Sequence, residues 1–372
     1  MTSYLLKFID MDRFNRLLSF GCGLSVIIMA SCTEENDPLG AEVAADNAIY
    51  FAAHTELSRA GDITTNNITS FNVYAYTGSV TSPSLFMDNV TVNKTASNTW
   101  TYTPLRYWPA NESVDFYAFA PASWLGDNSP LKPVGYDSYP GTEDIIYAVS
   151  PDLIGSAGVP NAQVIFHFRH ALAKVTVKMS STNEDLSVRV TNVVLTNLMT
   201  KGNFSFPPES TSDILAEGNV GKWSDQNTPL SYILHVSRDK DDVIRLTTTP
   251  TDMSDIGSKL GGPKYMMPQV LTWRSNGAGN DTYIAVMCSV YDTKTGLKLW
   301  PNENTPPENV VQSSTFGDGI LKFPLSTSRF SQWDPGYHYI YSIVINSNEE
   351  MGAIEFGTPT VDTYVDVSSY YE

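Results

Sequence analysis

From residue 48 onward the chain alternates between apolar and polar side chains, two residues to the period. In VDFYAFAP, Val114, Phe116, Ala118 and Ala120 alternate with Asp115, Tyr117 and Phe119, and Pro121 ends the run. A period of two belongs to a β-strand, whose successive side chains leave opposite faces. Comparable runs are AIYFAA, ITSFNVYAY, TWTYTP, AKVTVKM, LSVRVTNVVLT, DVIRLTTT, TYIAVMCSVYD and YHYIYSIVIN, separated by Gly, Pro, Asn, Asp and Ser. In YIYSIVIN, Tyr339, Tyr341, Ile343 and Ile345 share one face, and the turn dipeptide Pro335-Gly336 precedes them. No apolar stripe of helical period extends beyond two turns after residue 32, and STSDILAEG offers one short helix. Many short strands of this kind predict an all-β chain of packed antiparallel sheets.

The turn-rich cluster SSTNED after VIFHFRHALAKVTVKM suggests a boundary near Ser180. The predicted organisation is an N-terminal domain over 47–180 and a C-terminal domain over 181–372. Each is long enough to bury its own core. TTNNITS, GDNSPLKPVG, WRSNGAGND and WPNENTPPEN read as surface loops.

The N-terminus has a different character. Lys7, Arg13 and Arg16 precede an apolar stretch, Leu17 to Ala30, which is shorter than the roughly 20 residues of a membrane span. This is the layout of a secretory signal. Its end, Met29-Ala30-Ser31-Cys32, resembles a bacterial lipobox, which makes 1–31 a lipoprotein signal peptide and Cys32 an acylated first residue. Two or three acyl chains, at about 0.8 kcal/mol per buried methylene, hold a protein stably on a membrane. The acidic run Thr33-Glu34-Glu35-Asn36-Asp37 opens a tether over 32–46. It resembles the runs that accompany export to the outer face of the outer membrane in lipoproteins of gut and oral Gram-negative anaerobes.

The chain carries a net charge of −17, and loss of residues 1–31, with three basic and two acidic groups, leaves −18. Such a surface disfavours nucleic acid as a partner. With Cys22 in the signal and Cys32 acylated, Cys288 is the remaining thiol, so no intrachain disulfide is expected. His167 and His170 in FHFRH lie three apart on a predicted strand, so they face opposite ways and are not expected to share a metal. Arg238 to Asp242, RDKDD, reads as a hairpin loop and lacks the glycine and distal glutamate of an EF-hand. No G-x-S-x-G, phosphate loop or dinucleotide fingerprint occurs, and Cys288 has no histidine nearby in sequence. Paired acids such as Glu143-Asp144 carry little weight in so acidic a chain. No cofactor and no enzymatic activity are therefore expected. Trp124, Tyr136 and Tyr139 allow a sugar-binding platform, or they fold onto a sheet edge.

Four segments, in order, resemble those of the fimbrillin family of pilus subunits and surface adhesins from gut and oral anaerobes. They are YTPLRYWPANESVDFYAFAP, FRHALAKVTVKM, YMMPQVL and WDPGYHYIYSIVI. In the second, the resemblance is to the closing strand of the family's first domain. The resemblance implies two tandem transthyretin-like antiparallel β-sandwich domains and a surface-exposed, outer-membrane fimbrial subunit or pilus-associated adhesin. It also implies assembly with other pilus subunits by donor-strand exchange. In that scheme an arginine- or lysine-specific protease cuts between Arg59 and Ala60 and releases the first strand, with Ile49, Phe51 and Ala53 on its inner face. The candidate donor strand lies within 360–372, with Val361, Val365 and Val367 on one face. The rival reading is a non-polymerising glycan-binding surface lipoprotein.

Overall fold

The computed structural model describes residues 48–55, 63, 67–79, 81–97, 99–155, 163–210, 219–254, 264–274, 279–347 and 354–356. The signal and tether, Cys32, Arg59, Ala60, Val361, Val365 and Val367 lie outside the described residues, as does nearly all of STSDILAEG. The described chain is β-sheet joined by turns, with one 3-10 turn at Pro307–Asn309. Its first strands are β1 (Tyr50–Thr55), β2 (Ser70–Ser79), β3 (Ser82–Lys94), β4 (Trp100–Thr101), β5 (Val114–Ala120), β6 (Val134–Asp137), β7 (Ile146–Leu153) and β8 (Gln163–His170). There follow β9 (Ala173–Ser180), β10 (Leu186–Ser205), β11 (Lys222–Val236), β12 (Ile244–Arg245), β13 (Thr251–Asp252) and β14 (Lys264–Met266). The last are β15 (Tyr283–Asp292), β16 (Lys298–Trp300), β17 (Gly319–Pro324), β18 (His338–Ser347) and β19 (Ile354–Phe356).

The first sheet runs β1-β8-β7-β5-β2-β3-β4. Alternation dictates its inner face: Phe71, Val73 and Ala75 of β2, Val114, Phe116 and Ala118 of β5, and Val164, Phe166 and Phe168 of β8 are all buried in one cluster. Phe51 of β1 lies 6.3 Å from Phe71 and 6.0 Å from Phe116, ring centre to ring centre. These rings belong to strands well along the sheet from β1, so the sheet curls back and its first strand faces its middle.

A second core lies between two further sheets. One has β11-β10-β15-β16 with β6, β12 and β17 attached, and the other has β13-β9-β18-β19 with β14 attached. Val175, Val177 and Met179 of β9 meet Tyr339, Tyr341, Ile343 and Ile345 of β18 and the inner residues of β10 and β15 in this core. The ladders are antiparallel except for β1–β8 and β9–β18, which are parallel.

The changeover between the cores therefore falls at Ala171-Leu172, ahead of the boundary expected at Ser180. Ala173–Ser180 does not close the first domain; it pairs with β18, β14 and β13. No Gly, Pro, Asn or Asp marks the corner, so the next turn cluster drew the expected boundary. RDKDD likewise forms no hairpin: β11 and β12, on either side of it, both pair with β10.

A third, mostly aromatic cluster covers the outer face of the first sheet. Tyr74, Tyr76, Phe119 and Tyr147 pack with Trp124, Leu125 and Val134 of the β5–β7 connection and with Phe204 and Tyr265. That connection leaves the first sheet altogether, and β6 adds to β10 as Val134↔Phe204 through Asp137↔Lys201. The Trp223 indole N–H donates to Ala171 O at 2.7 Å, and the Gly221 N–H donates to the Tyr147 hydroxyl at 2.7 Å.

Candidate strand-exchange groove

β1 is the end strand of the first sheet. One edge pairs in parallel with β8 from Tyr50↔Gln163 to Thr55↔Phe168. The other edge is met at its beginning: the Ile49 N–H donates to Arg106 O at 2.8 Å, and Ala48 bridges Tyr107. The Tyr102 hydroxyl donates to Ile49 O at 2.9 Å. Burial pushes the Tyr102 pKa up, with the Arg106 backbone hydrogen bond opposing, so the hydroxyl remains a donor across the neutral range.

The three residues read as the inner face of this strand are buried. Ile49 is 0% exposed, Phe51 3% and Ala53 7%. Phe51 fills a pocket of four rings. It stacks on Phe166 at 5.5 Å and 17°, tilts against Tyr102 at 5.2 Å, and meets Phe116 and Phe71 edge-on. Tyr50 and Ala52, on the outer face, are half-buried. Burial of Ile49 and Phe51 contributes roughly 1.5–3 kcal/mol each.

The groove has walls that the sequence did not reveal. Trp108 is buried and stands edge-on to Phe116 at 5.7 Å. A Cβ on Gly155 would lie 2.1 Å from Trp108 Cγ, so the close approach of backbone to indole requires glycine. Tyr102, Trp108 and Gly155 are far from β1 in sequence and no local motif links them to it. Beyond the groove, the Ile63 N–H donates to Asp144 Oδ2 at 3.0 Å. The same carboxylate oxygen lies 2.8 Å from His170 Nδ1, and both side chains are 2% exposed.

His170 is thus turned inward to Asp144, while His167 is half-buried opposite His54 in the β1–β8 register. Among the described residues no group of three His, Cys, Asp or Glu side chains is placed to hold a metal. Cys288 is buried within β15, and burial pushes its thiol far above its ordinary pKa. Trp124 is 5% exposed and stacks on Phe206 at 5.8 Å, and Tyr136 stands edge-on to Trp124. Tyr139 is exposed and tilted against Tyr232. The three do not make an open platform, because two of them pack into the junction.

The fimbrillin-like family matches residues 58–362. The chain belongs to the fimbrillin-like family. Among solved structures, a fimbrial protein from Bacteroides vulgatus is 16% identical with a TM-score of 0.49; the match covers 86% of this chain and 100% of that one. A candidate cell adhesion protein from Bacteroides uniformis gives the same identity, coverage and score. The tip fimbrial protein Mfa3 from Porphyromonas gingivalis is 11% identical with a TM-score of 0.37, and the match covers 80% of this chain and 94% of that one. No curated protein matches.

The segments that carry the fimbrillin-like resemblance have local physical reasons. Gln269 of YMMPQVL accepts the Met199 N–H at 2.9 Å and donates to Met267 O at 3.0 Å, satisfying backbone groups beside an irregular stretch of β10. In WDPGYHYIYSIVI, the Trp333 indole N–H donates to the Tyr341 hydroxyl, which donates to Leu325 O. Gly336 has φ +76°, a left-handed conformation that suits glycine.

Proposed function

We propose that this fimbrillin-like protein is a lipid-anchored surface subunit of a fimbria, or an adhesin associated with one, that joins other subunits by exchange of its first strand. It is a structural protein and not an enzyme. The observation that carries this reading is β1: an end strand that buries Ile49, Phe51 and Ala53 yet has a full neighbouring ladder on one side. Arg59 follows it in sequence by four residues. Cutting there would disconnect the strand from everything after it. Removal of β1 would leave an apolar groove with unpaired backbone groups on β8, a template for another strand.

Cys32 is the proposed site of acylation and Arg59-Ala60 the proposed processing site. The C-terminal tail supplies the proposed donor, with Val361, Val365 and Val367 as one candidate face. The test is limited trypsin treatment of the purified soluble form, with N-terminal sequencing and size analysis. A new terminus at Ala60 with formation of oligomers is expected. Resistance at Arg59, or a cut chain that stays monomeric with its strand bound, would overturn strand exchange. For the anchor, Cys32→Ala should release the protein from membranes or leave the precursor uncut; unchanged partition and size would overturn acylation.

A further inference from the structure

The sequence of the first strand occurs a second time near the C-terminus. Ala48-Ile49-Tyr50-Phe51-Ala52-Ala53-His54-Thr55 has a counterpart in Ala353-Ile354-Glu355-Phe356-Gly357-Thr358-Pro359-Thr360, identical at four of eight positions. The identities include both large residues of the inner face. Ile354 corresponds to Ile49, which is 0% exposed, and Phe356 to Phe51, the ring held among Phe71, Tyr102, Phe116 and Phe166. Thr358 corresponds to Ala53, small for small. The charged change, Glu355, falls on the outer face at the place of half-buried Tyr50.

The tail beyond this point fits the groove less well. The face with Val361, Val365 and Val367 has Thr363 between them and no ring for the Phe51 pocket. Valine there would leave a void lined by four aromatic rings, which is costly in proportion to its volume. The tail's rings are poorly flanked on their own faces: Tyr364 has Asp362 and Asp366, Tyr370 has Ser368 and Glu372, and Tyr371 has Ser369. Placing Asp362 and Asp366 at the Ile49 and Ala53 positions would bury two carboxylates.

We propose that residues 353–358 of a second copy of this chain occupy the place of β1. The proposal rests on the strand-exchange reading above and names the strand and its source. Equivalence sets the register: Glu355 stands opposite Gln163, Phe356 opposite Val164, Gly357 opposite Ile165, and Ile354 O accepts the Tyr102 hydroxyl. Pro359 then takes the position of His54, where it ends the ladder because it has no N–H. Within its own chain the segment is held by a short antiparallel ladder, Ile345↔Phe356, Asn346↔Glu355 and Ser347↔Ile354, on β18. In this register residues 355–358 pair with residues 163–166, four pairs in place of the three on β18, and the segment gains the aromatic pocket.

The test uses the full chain with residues 57–62 replaced by the recognition site of a sequence-specific protease. Isotopically heavy protein carrying Gln163→Cys is mixed with light protein carrying Glu355→Cys, cut, and oxidised. Neighbouring positions of paired strands meet the distance requirement of a disulfide. A heavy–light disulfide between 163 and 355 is expected, together with its loss when Phe356→Asp is added to the light chain. A disulfide formed instead by light chains with Asp366→Cys would overturn this segment as donor and leave strand exchange standing. If neither forms, and a Tyr50→Cys, Gln163→Cys chain kept reduced until after cutting still closes its internal disulfide on oxidation, β1 does not leave and both readings fail.

Discussion

Replacement of Phe51 by alanine measures how firmly the first strand is seated. The ring is 3% exposed and lies within 6.3 Å of four others, centre to centre. Burial of such a side chain contributes roughly 1.5–3 kcal/mol by transfer from water, and the cavity left by truncation adds to the loss. Alanine retains part of this, and substitutions of this kind cost about 3–5 kcal/mol. The loss should be local first, because β1 has its ladder on one side and holds the other edge chiefly at Ile49 and Ala48. Native-state hydrogen exchange on the full chain distinguishes local from global loss. In Phe51→Ala, amides of the β1–β8 ladder should exchange far faster, while those of β9 and β18 in the second core change little. Ile165→Ala, on the outer face of β8 and 46% exposed, is the control and should cost about 0.5 kcal/mol or less. A loss below about 1 kcal/mol for Phe51→Ala would refute the packed pocket. Equal acceleration in β9 and β18 would refute a separately releasable strand.

Gly155→Ala drives a methyl into Trp108 and should cost about 1–3 kcal/mol in denaturant unfolding. Asp144→Ala removes the acceptor shared by Ile63 and His170 and should cost about 1–3 kcal/mol. It should also speed tryptic cleavage at Arg59, read by the rate at which a terminus at Ala60 appears. Cys288 should react with a thiol reagent on unfolding and not before, because burial holds it protonated and covered. Burial, with Asp115 adding, pushes Tyr117 up to about 12, and burial likewise raises Tyr136, Tyr232, Tyr339 and Tyr341. The folded state then holds these protons more tightly than the unfolded state, whose tyrosines titrate at about 10. Their contribution is therefore complete below about pH 10 and is lost as pH rises toward and beyond about 12. Melting temperature should fall across that window, with tyrosinate absorbance rising together with unfolding; titration near pH 10 in a chain that stays folded would refute it.

The sequence by itself determined that the described chain is built of strands and, within the runs it marked, which side chains share a face, because both depend on a period of two along the local chain. Val114, Phe116, Ala118 and Ala120, and Tyr339, Tyr341, Ile343 and Ile345, are buried as that period requires. So are Ile49, Phe51 and Ala53, the part of the groove that was legible in advance. Alternation does not state how many faces of a sheet are covered. Phe119 lies on the face of β5 opposite its core, yet it is 0% exposed, because Trp124 and Tyr147 cover it. Nor does it state which strands pair. GDNSPLKPVG read as a loop, but its last residues open β6, whose partner β10 lies more than sixty residues further on. Ala173–Ser180 has a legible inner face, yet its parallel partner β18 is supplied from the far end of the chain. The groove's aromatic pocket was hidden for the same reason. Its rings come from β2, the β4–β5 connection, β5 and β8, and folding alone brings them to Phe51. Local sterics and the side-chain period act between neighbours in sequence, whereas pairing and packing are settled by which apolar surfaces exclude water together once the whole chain has collapsed.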